Sequence, residues 1–168
     1  SLATLRYKPD HNAPILTQIL FGEQVFLIRK RNKYWYKVRC LWDNVEGWVD
    51  PKQFEFSETD PAHCTTYALE HFHPAANETQ SIPILLGSNL LKCDGINVKM
   101  PFGKFQYNGQ IVHLKQSQNS RKLLINIVRR FLHTPFFQGG RSVTGTDSSG
   151  FIQIAYKMIG IALPRLTH

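Results

Sequence analysis

Between Leu2 and Phe56 short β-type runs alternate with turn residues, and this spacing constrains the fold more than any other feature of the chain. Val25-Phe26-Leu27-Ile28 is an apolar strand. Trp35-Tyr36-Lys37-Val38-Arg39 mixes aromatic and β-branched residues with polar ones, and Trp48-Val49 follows Gly47 as a third strand core. Asp10-His11-Asn12, Phe21-Gly22-Glu23 and Asp43-Asn44 supply the turn chemistry. Short strands at this spacing predict a small β-barrel.

From 57 to 118 the chain again reads as β-rich. The runs are Ile84-Leu85-Leu86-Gly87, Leu90-Leu91-Lys92-Cys93, Asn97-Val98-Lys99-Met100 and Ile111-Val112-His113-Leu114, and Asn108-Gly109 predicts a hairpin turn. The period then changes. Ser120 can cap a helix in which Leu123, Leu124, Ile127, Val128, Phe131 and Leu132 share one face. A loop from His133 to Ser142 follows. A second helix opens at Asp147-Ser148-Ser149-Gly150, carries the stripe Phe151, Ile154, Ala155, Met158 and Ile159, and ends at Gly160 with Pro164 beyond.

Composition narrows the function classes. No apolar run approaches the ~18 residues that a membrane span needs, and Phe151 to Leu163 is interrupted by Gln153, Lys157 and Gly160. Ser1-Leu2-Ala3-Thr4 lacks the basic start and apolar stretch of a signal peptide. The net charge of +8 favours anionic partners: nucleic acid, acidic membrane surfaces or anionic wall polymer. The basic residues are scattered, however, and the densest group, Arg29-Lys30-Arg31 with Lys33, reads as a solvated turn, so nucleic acid is not an expected partner. Cys40, Cys64 and Cys93 form no CxxC pair and no zinc spacing; they read as small buried hydrophobes, with neither metal nor cofactor expected.

A nucleophile placed where the loop meets the second helix gains two things. The helix N-terminus favours negative charge and lowers a thiol pKa, and nearby free N–H groups can stabilise an oxyanion. Asp147 can serve as the cap. Taken alone, such a stretch is more often just a helix cap.

Two resemblances extend this reading. Leu5-Arg6-Tyr7-Lys8-Pro9, Leu20-Phe21-Gly22-Glu23-Gln24-Val25, Tyr34-Trp35-Tyr36-Lys37-Val38 and Glu46-Gly47-Trp48-Val49 occur in the order of the recurrent segments of a bacterial SH3-like domain, which 1–56 resembles. Such a module can bind wall peptide, pack against a catalytic domain, or be purely structural. Leu86-Gly87-Ser88-Asn89-Leu90 echoes the first block, so 57–118 is read as a second, divergent SH3-like unit. Residues 119–168 resemble the opening portion of the NlpC-type cysteine peptidases, which have a papain-like fold. The family's "PY.WGG.S", "G.DCSGF" and "GI.LPR" have counterparts in Pro135-Phe136-Phe137-Gln138-Gly139-Gly140-Arg141-Ser142, Gly145-Thr146-Asp147-Ser148-Ser149-Gly150-Phe151 and Gly160-Ile161-Ala162-Leu163-Pro164-Arg165.

The resemblance implies an α+β chain: one or two SH3-like β-barrels, then the helical first part of a papain-like domain. It implies hydrolysis of a γ-D-glutamyl bond to a diamino acid, peptidoglycan peptides as partners, and a bacterial cell envelope rather than the cytoplasm. Ser148 falls at the nucleophilic Cys position, with Phe136, Asp147, Ser149 and Arg165 at substrate-binding positions. The departures are as informative. A hydroxyl ionises far less readily than a thiol, Phe136 and Gln138 replace the usual Tyr and Trp, and the family's His lies several tens of residues past the nucleophile. His168 reads as a chance terminal residue, so the chain as written is expected to be inactive. Either Ser148 is a substitution in a hydrolase parent, or the parent is a pseudoenzyme that binds wall peptide; the changes at Phe136 and Gln138 favour the second. Without the remaining sheet, both helices are expected to expose apolar faces and drive self-association.

His71-Phe72-His73 could place two imidazoles on one strand face but reads as a surface pair. Asp60, His63 and Cys64 have only sequence proximity to suggest a triad. Of Tyr34, Trp35, Tyr36, Trp42 and Trp48, at least half are expected in the barrel core.

Overall fold

The computed structural model describes residues 2–56, 63–100, 102–114 and 121–165. The proposed cap Ser120, the triad candidate Asp60 and the terminal His168 lie outside the described residues. The first unit is a five-stranded antiparallel sheet. Its strands are β1 (Leu2–Arg6), β2 (Ile15–Leu20), β3 (Val25–Lys30), β4 (Tyr36–Cys40) and β5 (Glu46–Val49), in the order β2-β1-β5-β4-β3. Strand alternation turns Ala3, Leu5, Val38 and Val49 inward, where they meet Ile19 and Cys40 in one core. Burial pushes the Cys40 thiol pKa far up, as its role as a packed hydrophobe requires. Of the aromatics, Trp35 and Trp48 are buried and Tyr34 is exposed.

The second unit holds β6 (Thr66–Ala68), β7 (Phe72–Ala76), β8 (Ser81–Leu85), β9 (Asn97–Met100), β10 (Gly103–Tyr107) and β11 (Ile111–His113). Four of these form a sheet in the order β8-β7-β10-β9, and β11 pairs with β6. Two expectations are corrected. Asn108-Gly109 is not a hairpin turn, because the strands on either side of it do not fold onto each other: β10 ends at Tyr107 and pairs with β7 and β9, and β11 pairs with β6. The glycine is needed instead where the chain passes the Tyr107 ring, which a Cβ would meet at 2.7 Å. Leu90-Leu91-Lys92-Cys93 is a turn rather than a strand, with Lys92 at φ 49. Cys64 and Cys93 are only half-buried.

Helix α1 (Arg121–Arg129) and helix α2 (Ser148–Lys157) flank the short hairpin of β12 (Arg141–Ser142) and β13 (Gly145–Thr146). Helix α1 ends before Phe131, so only Ile127 and Phe131 of its stripe are buried, while Val128 and Leu132 face out. The α2 stripe behaves as its spacing requires: Ile154, Ala155, Met158 and Ile159 are buried. They pack against Leu20 of the first unit and Tyr67, Leu69, Leu85, Leu86 and Val112 of the second. The expectation that the apolar faces of the helices would be exposed is therefore corrected for α2, while the α1 stripe is only partly covered. One core joins the three segments, and other parts of the same chain cover the α2 stripe. Among the described residues, no helix is long and apolar enough to cross a membrane.

Candidate active site

The loop before α2 is laced to the hairpin behind it. Phe137 N–H donates to Thr146 O at 3.0 Å, Thr146 N–H to Pro135 O at 3.1 Å and Asp147 N–H to Gly140 O at 3.2 Å. Gly139, at φ 78, lies so close to the first unit that a Cβ would collide with the Ile15 carbonyl. Gly150 lies over the Gly140 carbonyl and 2.5 Å, measured from an added Cβ, from Arg165 Nη1. The glycines thus allow loop, helix and Arg165 to converge.

Asp147 organises that convergence. One oxygen accepts from Gly150 N–H at 2.8 Å and from the Ser149 hydroxyl at 3.1 Å, which makes Asp147 the α2 cap. The other accepts from Gly139 N–H at 2.9 Å and Arg165 Nη2 at 2.6 Å. Both side chains of the pair are nearly inaccessible. Asp147 and Arg165 are committed to one another and to the backbone, so they hold the loop in place from beneath.

Ser148 is exposed at the first position of α2, where its N–H and that of Ser149 have no carbonyl four residues back within the helix. An open pocket of about 310 Å³ lies beside it, lined by Ser148, Ser149, Ile152, Gln153, Leu163 and Pro164. Among the described residues, no side chain hydrogen-bonds the Ser148 hydroxyl. Phe136 bridges to Thr146 and is largely exposed, outside the pocket lining. Ser148 and Ser149 are thus brought together at the pocket, Asp147 and Arg165 lie below it, and Phe136 lies to one side.

The other candidates lie elsewhere. His71 Nε2 and the Arg130 carbonyl are 2.6 Å apart, whereas His73 faces Glu70 at 3.3 Å and stacks edge-on against Tyr107.

Four residues at or under the site escaped the sequence reading. Glu23, assigned there to a turn, has a side chain only 5% exposed. It receives Arg141 Nη1 and Nη2 at 2.8 and 2.7 Å, Lys157 Nζ at 2.6 Å and Leu20 N–H at 2.9 Å. Burial works to raise its pKa, but Arg141 and Lys157 outweigh it and bring the carboxyl down to about 2. Burial in turn lowers the Lys157 pKa. Lys157 also donates to Gly87 O at 2.9 Å and lies over the Trp42 and Tyr67 rings. Gln153 donates to Leu163 O at 3.0 Å and to Asp43 at 3.3 Å, which brings a first-unit turn to the pocket. A signal was present: Gly150, Gln153, Ile154, Lys157 and Met158 fall at helical spacing on the buried face, so two polar residues sit where burial demands partners.

Residues 5–54 match the sequence family described as the bacterial dipeptidyl-peptidase SH3 domain. The first unit is such an SH3 domain. The chain as a whole is 25% identical over 191 aligned positions to Dipeptidyl-peptidase 6 of Lysinibacillus sphaericus, covering 98% of this chain and 69% of that protein. It is 29% identical over 168 positions to the gamma-D-glutamyl-L-lysine dipeptidyl-peptidase of Bacillus subtilis, covering 90% of this chain and 55% of that one. Among solved structures, an NlpC/P60 family protein of Bacillus cereus superposes with TM-score 0.79 at 22% identity, covering 98% of this chain and 72% of its own. An NlpC/P60 endopeptidase of Photobacterium damselae superposes with TM-score 0.72 at 17% identity, over 99% and 43%. The chain therefore has the fold of NlpC/P60 proteins and resembles that cell-wall peptidase family. In this frame Glu23 and Asp43 are SH3-domain residues that reach the segment carrying Ser148.

Proposed function

We propose that the chain is built on a peptidoglycan-peptide hydrolase of the γ-D-glutamyl-diamino acid endopeptidase type, with Ser148 at the nucleophile position of the first part of a papain-like domain. The observation that carries this reading is the placement of Ser148: exposed, at the start of α2, above the buried Asp147–Arg165 pair and beside the pocket. In such a reaction the nucleophile adds to the γ-glutamyl carbonyl, the diamino acid leaves as the protonated amine, and water releases the acyl group. The pocket joins hydroxyls and an amide to the apolar walls of Ile152, Leu163 and Pro164, which suits an extended peptide. The β8-β7-β10-β9 order repeats the β2-β1-β5-β4 order of the SH3 domain, which supports reading the second unit as a divergent SH3-like module.

A second reading is favoured by the Ser148 hydroxyl, which no side chain among the described residues hydrogen-bonds: the chain binds wall peptide without cleaving it. A serine with no base in reach attacks amides poorly. Calorimetric titration with a γ-D-glutamyl-L-lysine peptide, followed by product analysis, tests both. Saturable binding that is lost in Ile152→Asp supports the site, and product release then separates hydrolase from binder. Absence of binding contradicts both.

A further inference from the structure

Away from the pocket, the outer face of the SH3 sheet carries charge that the fold does not neutralise. From Gln24 to Trp42 the chain holds Arg29, Lys30, Arg31, Lys33, Lys37 and Arg39 and no acid. Strand register sets Arg29 opposite Lys37, Lys37 opposite Trp48, and Trp48 opposite Arg6, making one row across β3, β4, β5 and β1. Like charges directly opposite each other on a sheet cost stability. Among the described residues Glu46 is the acid that this register brings to the face, opposite Arg39 and 2.9 Å from Lys37 Nζ.

The guanidinium groups are backed by rings. Arg29 and Arg31 lie 5.1 and 5.9 Å from the centre of Trp48, and Arg39 lies 5.6 Å from that of Phe26. Trp48 is buried beneath its cations, while the three arginines are exposed. A ring-backed guanidinium keeps its plane and presents its N–H fork outward, which suits an anion with two acceptor oxygens.

We propose that this face binds a linear polyol phosphate, with Arg29, Arg31 and Arg39 contacting successive phosphodiesters. A row of cations across several strands suits a polymer better than a single ion. The aromatic faces argue against a base-bearing polymer. Trp48, the ring at the centre of the row, is buried beneath Arg29 and Arg31 and is not open for base stacking, and the exposed rings Phe26 and Tyr34 each have a cation over them, Arg39 at 5.6 Å and Lys33 at 5.0 Å. The surface stands independently of the chemistry at Ser148.

The test is fluorescence anisotropy of end-labelled poly(glycerol phosphate) titrated with the full chain from low to physiological salt. Three phosphate contacts on a flexible strand predict a log–log salt slope of about −2. The Arg29→Gln/Arg31→Gln/Arg39→Gln variant should lose about tenfold in affinity and most of the slope. Its melting temperature should hold or rise, because the Arg29–Lys37 repulsion is relieved. Lys8→Gln/Lys52→Gln/Lys104→Gln removes equal charge elsewhere and should bind like the parent. Should the triple variant melt early, Arg39→Gln alone carries the test, with a loss of about twofold. The proposal is overturned if the parent fails to bind, if both triple variants lose equally, or if polyglutamate or duplex DNA binds as tightly.

Discussion

Glu23→Gln keeps the side chain's shape and removes the negative charge between Arg141 and Lys157. Those two side chains are 2% and 0% exposed, so neither recovers water when its partner is lost. Breaking a buried pair from one side costs about 3–5 kcal/mol. The pKa gives a second route to the magnitude. The Glu23 carboxyl is held at about 2 against an ordinary 4.5, which at about 1.36 kcal/mol per pKa unit corresponds to about 3 kcal/mol. The sign follows from a folded-state pKa below the unfolded one. The contribution is complete above the ordinary carboxylate pKa and fades as pH falls toward 2, with about half left at pH 3. Lys157, whose pKa burial already lowers, can release its proton in the variant and limit the loss. Urea unfolding followed by tryptophan fluorescence should therefore show the variant about 3 kcal/mol less stable at pH 7, or about 6–12 °C lower in Tm. The gap should narrow by about half at pH 3. Equal stability at pH 7, or a gap that does not change with pH, would refute the reasoning.

Two substitutions probe the loop beneath Ser148. Asp147→Asn removes the charge facing Arg165 and should cost about 3–5 kcal/mol by the same denaturation assay, with hydrogen exchange accelerated in the first turn of α2. Gly150→Ala drives a methyl group into the Gly140 carbonyl and Arg165, so the clash should outweigh the up to ~1 kcal/mol that alanine gains in helix propensity and leave a net destabilisation on the order of 1–3 kcal/mol.

What could be read from the sequence divides along physical lines. Period-2 and period-3.6 patterns report which faces are apolar, so β3, β4, β5 and the α2 stripe were legible, as was Asp147 as the cap of α2. Strand β2, with sequence ILTQIL, has no clean alternation because Thr17, Gln18, Ile19 and Leu20 are all buried, the sheet being covered on both sides there. Asn108-Gly109 carries local hairpin chemistry, but the pairing of β10 with β7 and β11 with β6 depends on partners 30 to 47 residues away, beyond what a dipeptide reports. The Glu23–Arg141–Lys157 cluster was invisible for a similar reason. Each member looks like an ordinary surface charge, and only the fold brings residues more than a hundred positions apart within hydrogen-bonding distance.

The central claim is that position 148 is a nucleophile site served by a helix N-terminus. Ser148→Cys tests it through the rate of thiol alkylation as a function of pH, with Cys40, Cys64 and Cys93 as internal references read by peptide mass mapping. Burial raises the pKa at Cys40 and Cys64, whereas the helix terminus should lower it at the new thiol. The account predicts that the substituted position alkylates first near pH 6 and is protected by a γ-D-glutamyl-L-lysine peptide. Labelling no faster than at Cys93, with no protection by the peptide, would contradict it.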